Sequence, residues 1–409
     1  MMPFVNLTGQ REAYREELEA AERAVLDSGC YIGGPEVKAL EAELADFCNS
    51  GSPDAGKGHA EPWTQAITCA SGTDALTIAL MALGLKPGDE VIVPDFTFIA
   101  PAECVAFLGG IPRFADIDPE TLLIDPESVK ALIGPKTRGI IGVDLFGQCA
   151  PFEELRQIAD AHGFWVLEDA AQAFGATVIS GAESAAGPKP RRACTLGDIS
   201  ITSFYPSKPL GCYGDGGAIF TSDVELAEKV RMLANHGSKE RYLHETVGLN
   251  SRLDALQAAI LRVKLRHFEN ELKVRRENAR KYDEFFAEYN ARASAGARIV
   301  PQKIANGNTS TYAQYTVLAD DREAFIKKLD KAGIPHCIHY PQPLHEQPCF
   351  IEFLSDYMPM PLYGPPGIVN TISENENRRA EQAAEQAVSL PVCAFTDVDF
   401  IINKLRSVL

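Results

Sequence analysis

The chain has 409 residues, of which 45% are hydrophobic and 23% are charged, as in folded globular proteins rather than disordered ones. Its 39 basic and 56 acidic residues give a net charge of −17, which argues against sequence-independent nucleic-acid binding. No apolar run approaches the roughly 20 residues that span a bilayer, and the N-terminus lacks a secretory-signal pattern. Its ten cysteines form no CxxC pair, so we expect reduced thiols, no metal site and a cytoplasmic location.

The first half of the chain alternates short apolar runs with helical patterns. Strands are predicted at 65–69, 90–93, 113–117, 138–143, 164–167, 199–204 and 217–221. Helices are predicted after residue 71, at 98–108 and at 151–162. Because continuous β-branched strands that alternate with helices are typical of parallel sheets, we predict an α/β fold with a mostly parallel central sheet covered on both faces.

The second half begins with one long helical pattern at 251–289, followed by a smaller α/β pattern. Its strands are predicted at 312–318 and 335–340, and its helices at 322–332 and near 398–408. We therefore expect a large domain at 1–255, with an N-terminal helical segment, and a connector helix with a small C-terminal domain at 256–409. Three stretches have the composition of inserted loops, at 50–61, 180–192 and roughly 356–376.

The strongest local motif is SFYPSK at 203–208, followed by a glycine-dense loop that ends in GDGG. Lys208 lies just beyond a buried strand, where desolvation would make its amine nucleophilic enough to form a Schiff base. Glycines would let the backbone approach a bulky cofactor. A solvated loop lysine is the alternative, and the motif alone does not exclude it.

Three further motifs are each ambiguous. In EDAAQ, Asp169 follows a strand, where ligands of open α/β sheets bind, but it fits a helix cap equally well. In SGTDAL, a turn with small residues precedes a helix, which suits a phosphate but also a simple cap at Ser71 or Thr73. In GLNSRLD, Asn250 could donate to a phosphate and Arg252 could bind a carboxylate, although a cap and a surface arginine are more common.

Together and in this order, the motifs SGTDAL, EDAAQ, SFYPSK with GDGG, and GLNSRLDALQAAIL closely resemble the DegT/DnrJ/StrS family of sugar aminotransferases, which depend on pyridoxal phosphate (PLP). The resemblance runs from YIGGPEV at 31–37 to HYPQPLHEQP at 339–348. It implies the fold type I of PLP-dependent transferases. It also implies a large domain with a mostly parallel sheet and a smaller C-terminal α/β domain.

The resemblance also implies roles for individual residues. Lys208 matches the Schiff-base lysine, and Asp169 matches the acid that keeps the pyridine nitrogen protonated so that the ring acts as an electron sink. Further cofactor contacts are implied for Gln172 near the phenolic oxygen and for Phe98 stacked on the ring. Phosphate contacts are implied for Gly72, Thr73, Ser203 and Asn250. Because the family supplies the residue matching Asn250 from the neighbouring subunit, a homodimer with shared active sites is expected.

The implied reaction moves an amino group from L-glutamate to a keto nucleotide sugar and leaves pyridoxamine phosphate (PMP) between its two halves. Several segments look closest to the branch acting on UDP-2-acetamido-3-keto-glucuronic acid, which supplies bacterial surface polysaccharides such as O-antigen. Arg252 and His339 are candidate partners for substrate carboxylates. Weaker candidates for the sugar or nucleotide, each with an equally plausible surface role, are Tyr31, Lys239, Arg241 and Tyr340.

Three alternatives remain open from the sequence. The enzyme could aminate another sugar, such as a 4-keto-6-deoxy nucleotide sugar. It could be a PLP enzyme of the same fold that does not transaminate, although Lys208, where dehydrating relatives have histidine, favours transamination. It could also be a non-enzymatic regulatory protein, against which the retained Lys208, Asp169 and phosphate motifs argue.

Overall fold

The computed structural model describes residues 2–50, 63–179, 190–357 and 378–409. Its helices are α1 (Leu7–Ala13), α2 (Arg15–Ser28), α3 (Gly34–Asn49), α4 (Gly72–Leu83), α5 (Ala100–Phe107), α6 (Pro126–Leu132), α7 (Phe152–His162), α8 (Val224–Leu233), α9 (Ala255–Asn290), α10 (Arg322–Ala332), α11 (Pro348–Tyr357), α12 (Arg378–Gln386) and α13 (Val398–Val408). Short 3₁₀ turns lie at Leu145–Gly147 and Leu344–Glu346. None of the described helices is both long and apolar enough to cross a membrane.

The strands of the same residues form four sheets. They are β1 (Gln65–Cys69), β2 (Glu90–Pro94), β3 (Ile111–Ala115), β4 (Thr137–Val143), β5 (Trp165–Asp169), β6 (Thr177–Ile179), β7 (Pro190–Arg192), β8 (Ile199–Ser203), β9 (Gly217–Thr221), β10 (Ser238–Glu240), β11 (Leu243–His244), β12 (Ile299–Pro301), β13 (Tyr315–Ala319) and β14 (Ala387–Leu390). Most predicted strands therefore lie within two residues of their expected positions.

The central sheet of the described chain has seven strands in the order β1-β9-β8-β5-β4-β2-β3. Only β9 runs antiparallel to its neighbours, and the pairs from β8 to β3 are all parallel. The predicted α/β fold with a mostly parallel sheet is confirmed. Because the carboxyl ends of these parallel strands meet at one edge, the residues after β4, β5 and β8 are brought together there.

Helices cover both faces of this sheet. One core contains Leu40 of α3, Leu155 of α7 and Phe268 of α9, and the other contains Leu76 of α4 and Val105 of α5. All five side chains are at most 1% exposed. Burial on both faces explains why the strands read as continuous apolar runs in the sequence.

The long helix α9 links two cores. Its first half packs on the central sheet through Phe268, and its second half packs on the three-stranded sheet β12-β13-β14 through Tyr282 and Phe286. The later segment that contains Leu344 and Phe350 returns to the core of the central sheet. The domain boundary between 255 and 256 therefore stays a prediction.

The strand predicted at 335–340 is wrong. Only Cys337 pairs there, in an isolated bridge with Ser389, because the chain then turns away and brings His339 and Tyr340 over the central sheet. The strands that pair with β13 are instead β12 and β14, both of which the sequence analysis missed. The predicted loops lie largely outside the described residues, but Pro190–Arg192 pairs with β6 as β7 rather than forming a loop.

Candidate active site

A cavity of about 470 Å³ opens at the carboxyl edge of the central sheet. It lies between the ends of β4, β5 and β8 and the start of α4. The sequence-predicted residues that line it are Gly72, Thr73, Phe98, Asp169, Gln172, Ser203, Lys208, His339 and Tyr340. A larger surface cleft of about 690 Å³ opens elsewhere, beside Glu153 and Asn308, and none of the predicted residues lines it.

Lys208 and Asp169 bring an amine and a carboxyl group into this cavity. Asp169 ends β5 and is 5% exposed. Burial raises its pKa from the ordinary 3.8 to about 6, although an N–H from Ala171, 3.0 Å from Oδ1, and the charge of Lys208 oppose this rise. Lys208 is partly exposed as a residue, but its amine is surrounded by protein, and this burial lowers its pKa. The amine is thus closer to its neutral, nucleophilic form than a surface lysine would be.

The start of α4 lies against the end of β8 and the start of β9. We call this arrangement the anion cradle, because it leaves the first N–H groups of α4 beside the cavity. Ser71 caps the helix by accepting the Asp74 N–H at 3.0 Å, while the first N–H groups of a helix have no intrahelical partner and can bind an anion. A Cβ atom on Gly72 would lie 2.7 Å from the Cβ of Ser203, and one on Gly217 would lie 2.4 Å from the Ser71 carbonyl oxygen. Glycine is therefore needed at both positions for this close approach.

Aromatic and amide side chains form another part of the cavity wall. The ring of Phe98 is 51% exposed and lies 6.2 Å from the ring of Tyr340. Gln172 is held on both sides, because its Oε1 accepts the Phe146 N–H at 2.8 Å and its Nε2 donates to the Tyr340 hydroxyl at 3.1 Å. Nε2 keeps a second hydrogen that no described protein group accepts, and Gln172 can donate it to a ligand in the cavity.

His339 is the second basic side chain on the cavity wall. Its Nδ1 lies 2.9 Å from Oγ of Ser389. Burial, with a smaller effect from the charge of Lys208, lowers its pKa from the ordinary 6.5 to about 4. The ring is therefore uncharged at neutral pH, and it can offer a substrate carboxylate a hydrogen bond but no ion pair.

Among the lining residues that the sequence analysis did not name are Thr97 and Gln314. Oγ1 of Thr97 and Oε1 of Gln314 are buried without any hydrogen-bond partner among the described residues. Buried polar atoms are rarely left unpaired, so these two atoms indicate a polar ligand in the cavity. The sequence holds only an indirect signal for Thr97, which adjoins Phe98, and none for Gln314.

The other predicted residues do not line the cavity of their own chain. Asn250 and Arg252 are exposed, and Nη2 of Arg252 donates to Oδ1 of Asn250 at 2.6 Å. Tyr31 is 50% exposed, and its carbonyl accepts the N–H of Ala255 at 2.9 Å. Arg241 is exposed with its guanidinium 5.0 Å from the ring centre of Tyr242, and Lys239 is exposed nearby. These five side chains therefore contribute nothing to the lining of the cavity in their own chain.

The fold and this cavity define an aminotransferase of fold type I. A family model described as the DegT/DnrJ/EryC1/StrS aminotransferase family matches residues 12–397. The chain belongs to this family, as the sequence motifs predict.

Three proteins show how similar the relatives are. A "UDP-2-acetamido-2-deoxy-3-oxo-D-glucuronate aminotransferase" of Pseudomonas aeruginosa is 46% identical over 86% of this chain and 89% of its own. A "pleiotropic regulatory protein" of Geobacillus stearothermophilus is 38% identical over 96% of this chain and 93% of its own. The crystal structure of NtdA from Bacillus subtilis, with bound cofactor PMP, has a TM-score of 0.79 at 27% identity and covers 100% of this chain and 85% of that one.

Proposed function

We propose that this enzyme transfers the amino group of L-glutamate to UDP-2-acetamido-2-deoxy-3-oxo-glucuronate, with PLP as its cofactor. The products are 2-oxoglutarate and the corresponding 3-amino sugar, a building block of bacterial surface polysaccharide such as O-antigen. The observation that carries the proposal is the meeting of Lys208 and Asp169 in one cavity beside an anion cradle. The similarity to the Pseudomonas enzyme supports the choice of sugar.

The cavity has the groups that PLP needs. The start of α4 offers N–H donors for the phosphate, and the exposed face of Phe98 offers a stacking surface for the ring. Asp169 offers a carboxylate for the ring nitrogen. Oγ1 of Thr97 and Oε1 of Gln314 have no protein partner among the described residues, so both atoms are available for hydrogen bonds to a polar ligand. When bound, PLP supplies the electron sink that stabilises the carbanion formed at the substrate carbon.

The chain's own groups then have separate tasks. Lys208 holds the cofactor through Nζ, which burial keeps near its neutral form, and later carries a proton between the reacting carbons as general base and acid. Asp169 must be ionised to keep the ring nitrogen protonated. With a pKa of about 6, its carboxyl is ionised at neutral pH, and a charged ring nitrogen would stabilise that form further.

The substrate carboxylates call for cationic partners beyond those that the described residues of one chain place in its cavity. Of the groups that line it, Lys208 is assigned to the cofactor and His339 is neutral. We infer that Asn250 and Arg252 serve the cavity of the second subunit in a homodimer, where Asn250 would bind the phosphate and Arg252 a carboxylate. Their exposure and mutual hydrogen bond support this arrangement.

The cytoplasm is the proposed location. All ten cysteines lie among the described residues and all are free thiols, as expected in a reducing compartment.

Separate assays of the two half-reactions test the proposed reaction. The PLP form is mixed with glutamate, and 2-oxoglutarate is measured. The PMP form of the enzyme is mixed separately with the 3-keto uronate and with a 4-keto-6-deoxy nucleotide sugar, and the return of the PLP absorbance is followed. We expect rapid return with the uronate and a second-order rate at least about a hundredfold lower with the other sugar, whose carboxylate is absent. Equal rates would refute the choice of sugar, and no 2-oxoglutarate from glutamate would refute the aminotransferase activity.

A further inference from the structure

A buried carboxylate and a largely buried imidazole join two segments, 250 residues apart in sequence, that lie beside the cavity wall. Asp95 follows β2 and is 0% exposed. Its carboxylate accepts the backbone N–H of His345 at 2.9 Å and contacts Nδ1 of the same residue at 2.6 Å. Its carbonyl oxygen accepts the N–H of Leu344 at 2.8 Å. Three contacts therefore fix residues 344 and 345 to the end of β2.

Both partners of this pair lie close in sequence to residues that line the cavity. Thr97 and Phe98 follow Asp95 by two and three residues, and Tyr340 precedes His345 by five. The ring of Tyr340 lies 6.2 Å from that of Phe98. The contacts of Asp95 with residues 344 and 345 therefore tie the segment that leads to Phe98 to the segment that contains Tyr340.

The charges around His345 favour the protonated imidazole. Three carboxylates face it, from Asp95, from Glu346 and from Glu381 of α12, whose Oε1 lies 3.7 Å from Nε2. Their combined effect outweighs burial and raises the pKa of His345 above its ordinary 6.5. A buried carboxylate without a positive partner is costly, so Asp95 depends on this imidazolium.

We propose that Asp95 and His345 are a positioning pair that holds the cavity wall formed by His339 and Tyr340 in place for the keto-sugar, while Lys208, Asp169 and the start of α4 hold the cofactor. The proposal rests on the proposed function. Neither side chain lines the cavity, so each acts through its neighbours and contacts no reacting atom.

Kinetics of the two half-reactions test this pair. In His345→Leu, we expect the KM for the keto-sugar to rise about tenfold or more, while the rate with glutamate and the cofactor absorbance change less than about twofold. The double variant Asp95→Asn/His345→Leu should recover part of the loss, because no unpaired charge stays buried. A matched control is His267→Leu, since Nε2 of His267 lies 2.8 Å from Glu17 on the outer helices, away from the cavity.

An unchanged KM for the sugar in folded His345→Leu would overturn the proposal, as would an equal loss in both half-reactions. A second measurement does not depend on activity or on variant stability. In wild-type enzyme with ¹³C-labelled histidine, the pKa of the His345 ring should lie above the ordinary 6.5, and a neutral His345 at pH 6 would contradict the pair. If wild-type enzyme were inactive while the pKa of His345 was still raised, the proposed function would be refuted. The pairing of Asp95 with His345 would not be.

Discussion

Gly72 begins α4 so close to Ser203 that a methyl group in place of its hydrogen would lie 2.7 Å from the Ser203 Cβ atom. This contact holds the start of a helix against the end of β8, and it keeps the first N–H groups of α4 beside the cavity. The anion cradle therefore requires glycine at position 72, as it does at position 217.

Replacing Gly72 by alanine should push α4 away from β8. We expect PLP to bind about tenfold or more weakly and the free energy of unfolding to fall by about 1–3 kcal/mol. Titration of the apoenzyme with PLP and urea unfolding measure the two effects. Gly134→Ala is the matched control, because its nearest neighbour would be a side-chain oxygen of Glu90 at 3.4 Å. Equal PLP affinity in Gly72→Ala and wild type would contradict the assignment of the cradle.

Asp169 should lower the stability of the cofactor-free protein above pH 6. Burial raises the pKa of its carboxyl from 3.8 to about 6, so the folded protein favours the neutral carboxyl group. The stability linked to this preference is complete below pH 3.8 and is lost as pH rises through 6, where the buried group becomes charged. That shift corresponds to at most about 3 kcal/mol. We expect cofactor-free Asp169→Asn to unfold at higher urea than wild type at about pH 8, with the difference shrinking towards about pH 5.

The same substitution should remove activity while the protein stays folded. We expect turnover of Asp169→Asn to fall by at least about a hundredfold, because an amide cannot stabilise a charged ring nitrogen. Asp160→Asn, at an exposed position of α7, controls for the loss of one charge. A variant that is less stable than wild type at every pH, or that keeps its turnover, would contradict this account of Asp169.

His339 should act as a neutral hydrogen-bonding group. Because its pKa is lowered to about 4, it stays uncharged across the range in which an ordinary histidine titrates. We expect His339→Asn to raise the KM for the sugar by about tenfold. Between about pH 5.5 and pH 7.5, the ratio of wild-type to variant kcat/KM should stay constant. A ratio that falls steeply through pH 6.5 would show that the charged ring binds the carboxylate.

Mixing two inactive variants should restore activity if the site is shared between subunits. Lys208→Ala lacks the catalytic amine, and Arg252→Glu should repel the substrate carboxylate. In a randomly mixed population, half of the dimers pair the two variants and each has one intact site, so about a quarter of wild-type activity should return. Mixtures of either variant with itself are the controls. No recovery after verified subunit exchange would refute the proposed sharing of Arg252.

Much of the fold follows from short-range sequence patterns. The continuous apolar runs of β4, β5 and β8 predict buried parallel strands, and α9 is predicted by its helical period over 36 residues. The failure at 335–340 has a different origin, because PHCIHY has apolar residues but only Cys337 finds a pairing partner. Of the strands that do pair with β13, β14 is short, and its role depends on register with a strand about 70 residues earlier.

Local signals also locate part of the candidate site. Lys208, Asp169 and Gly72 each lie at a strand end or a turn, and parallel topology brings those positions to one edge. Contacts across long sequence separations are not readable in this way. The pairing of Asp95 with His345 and the unpaired oxygen of Gln314 emerge only when distant segments pack together.

The covalent attachment of PLP to Lys208 can be measured directly. The holoenzyme is reduced with borohydride, digested, and analysed by mass spectrometry. We predict a phosphopyridoxyl group on the peptide containing Lys208, which is absent when Lys208→Ala is treated in the same way, while Lys130→Ala, at an exposed position of α6, labels as wild type does. Labelling of another lysine in wild-type enzyme, or full turnover by Lys208→Ala, would contradict the account.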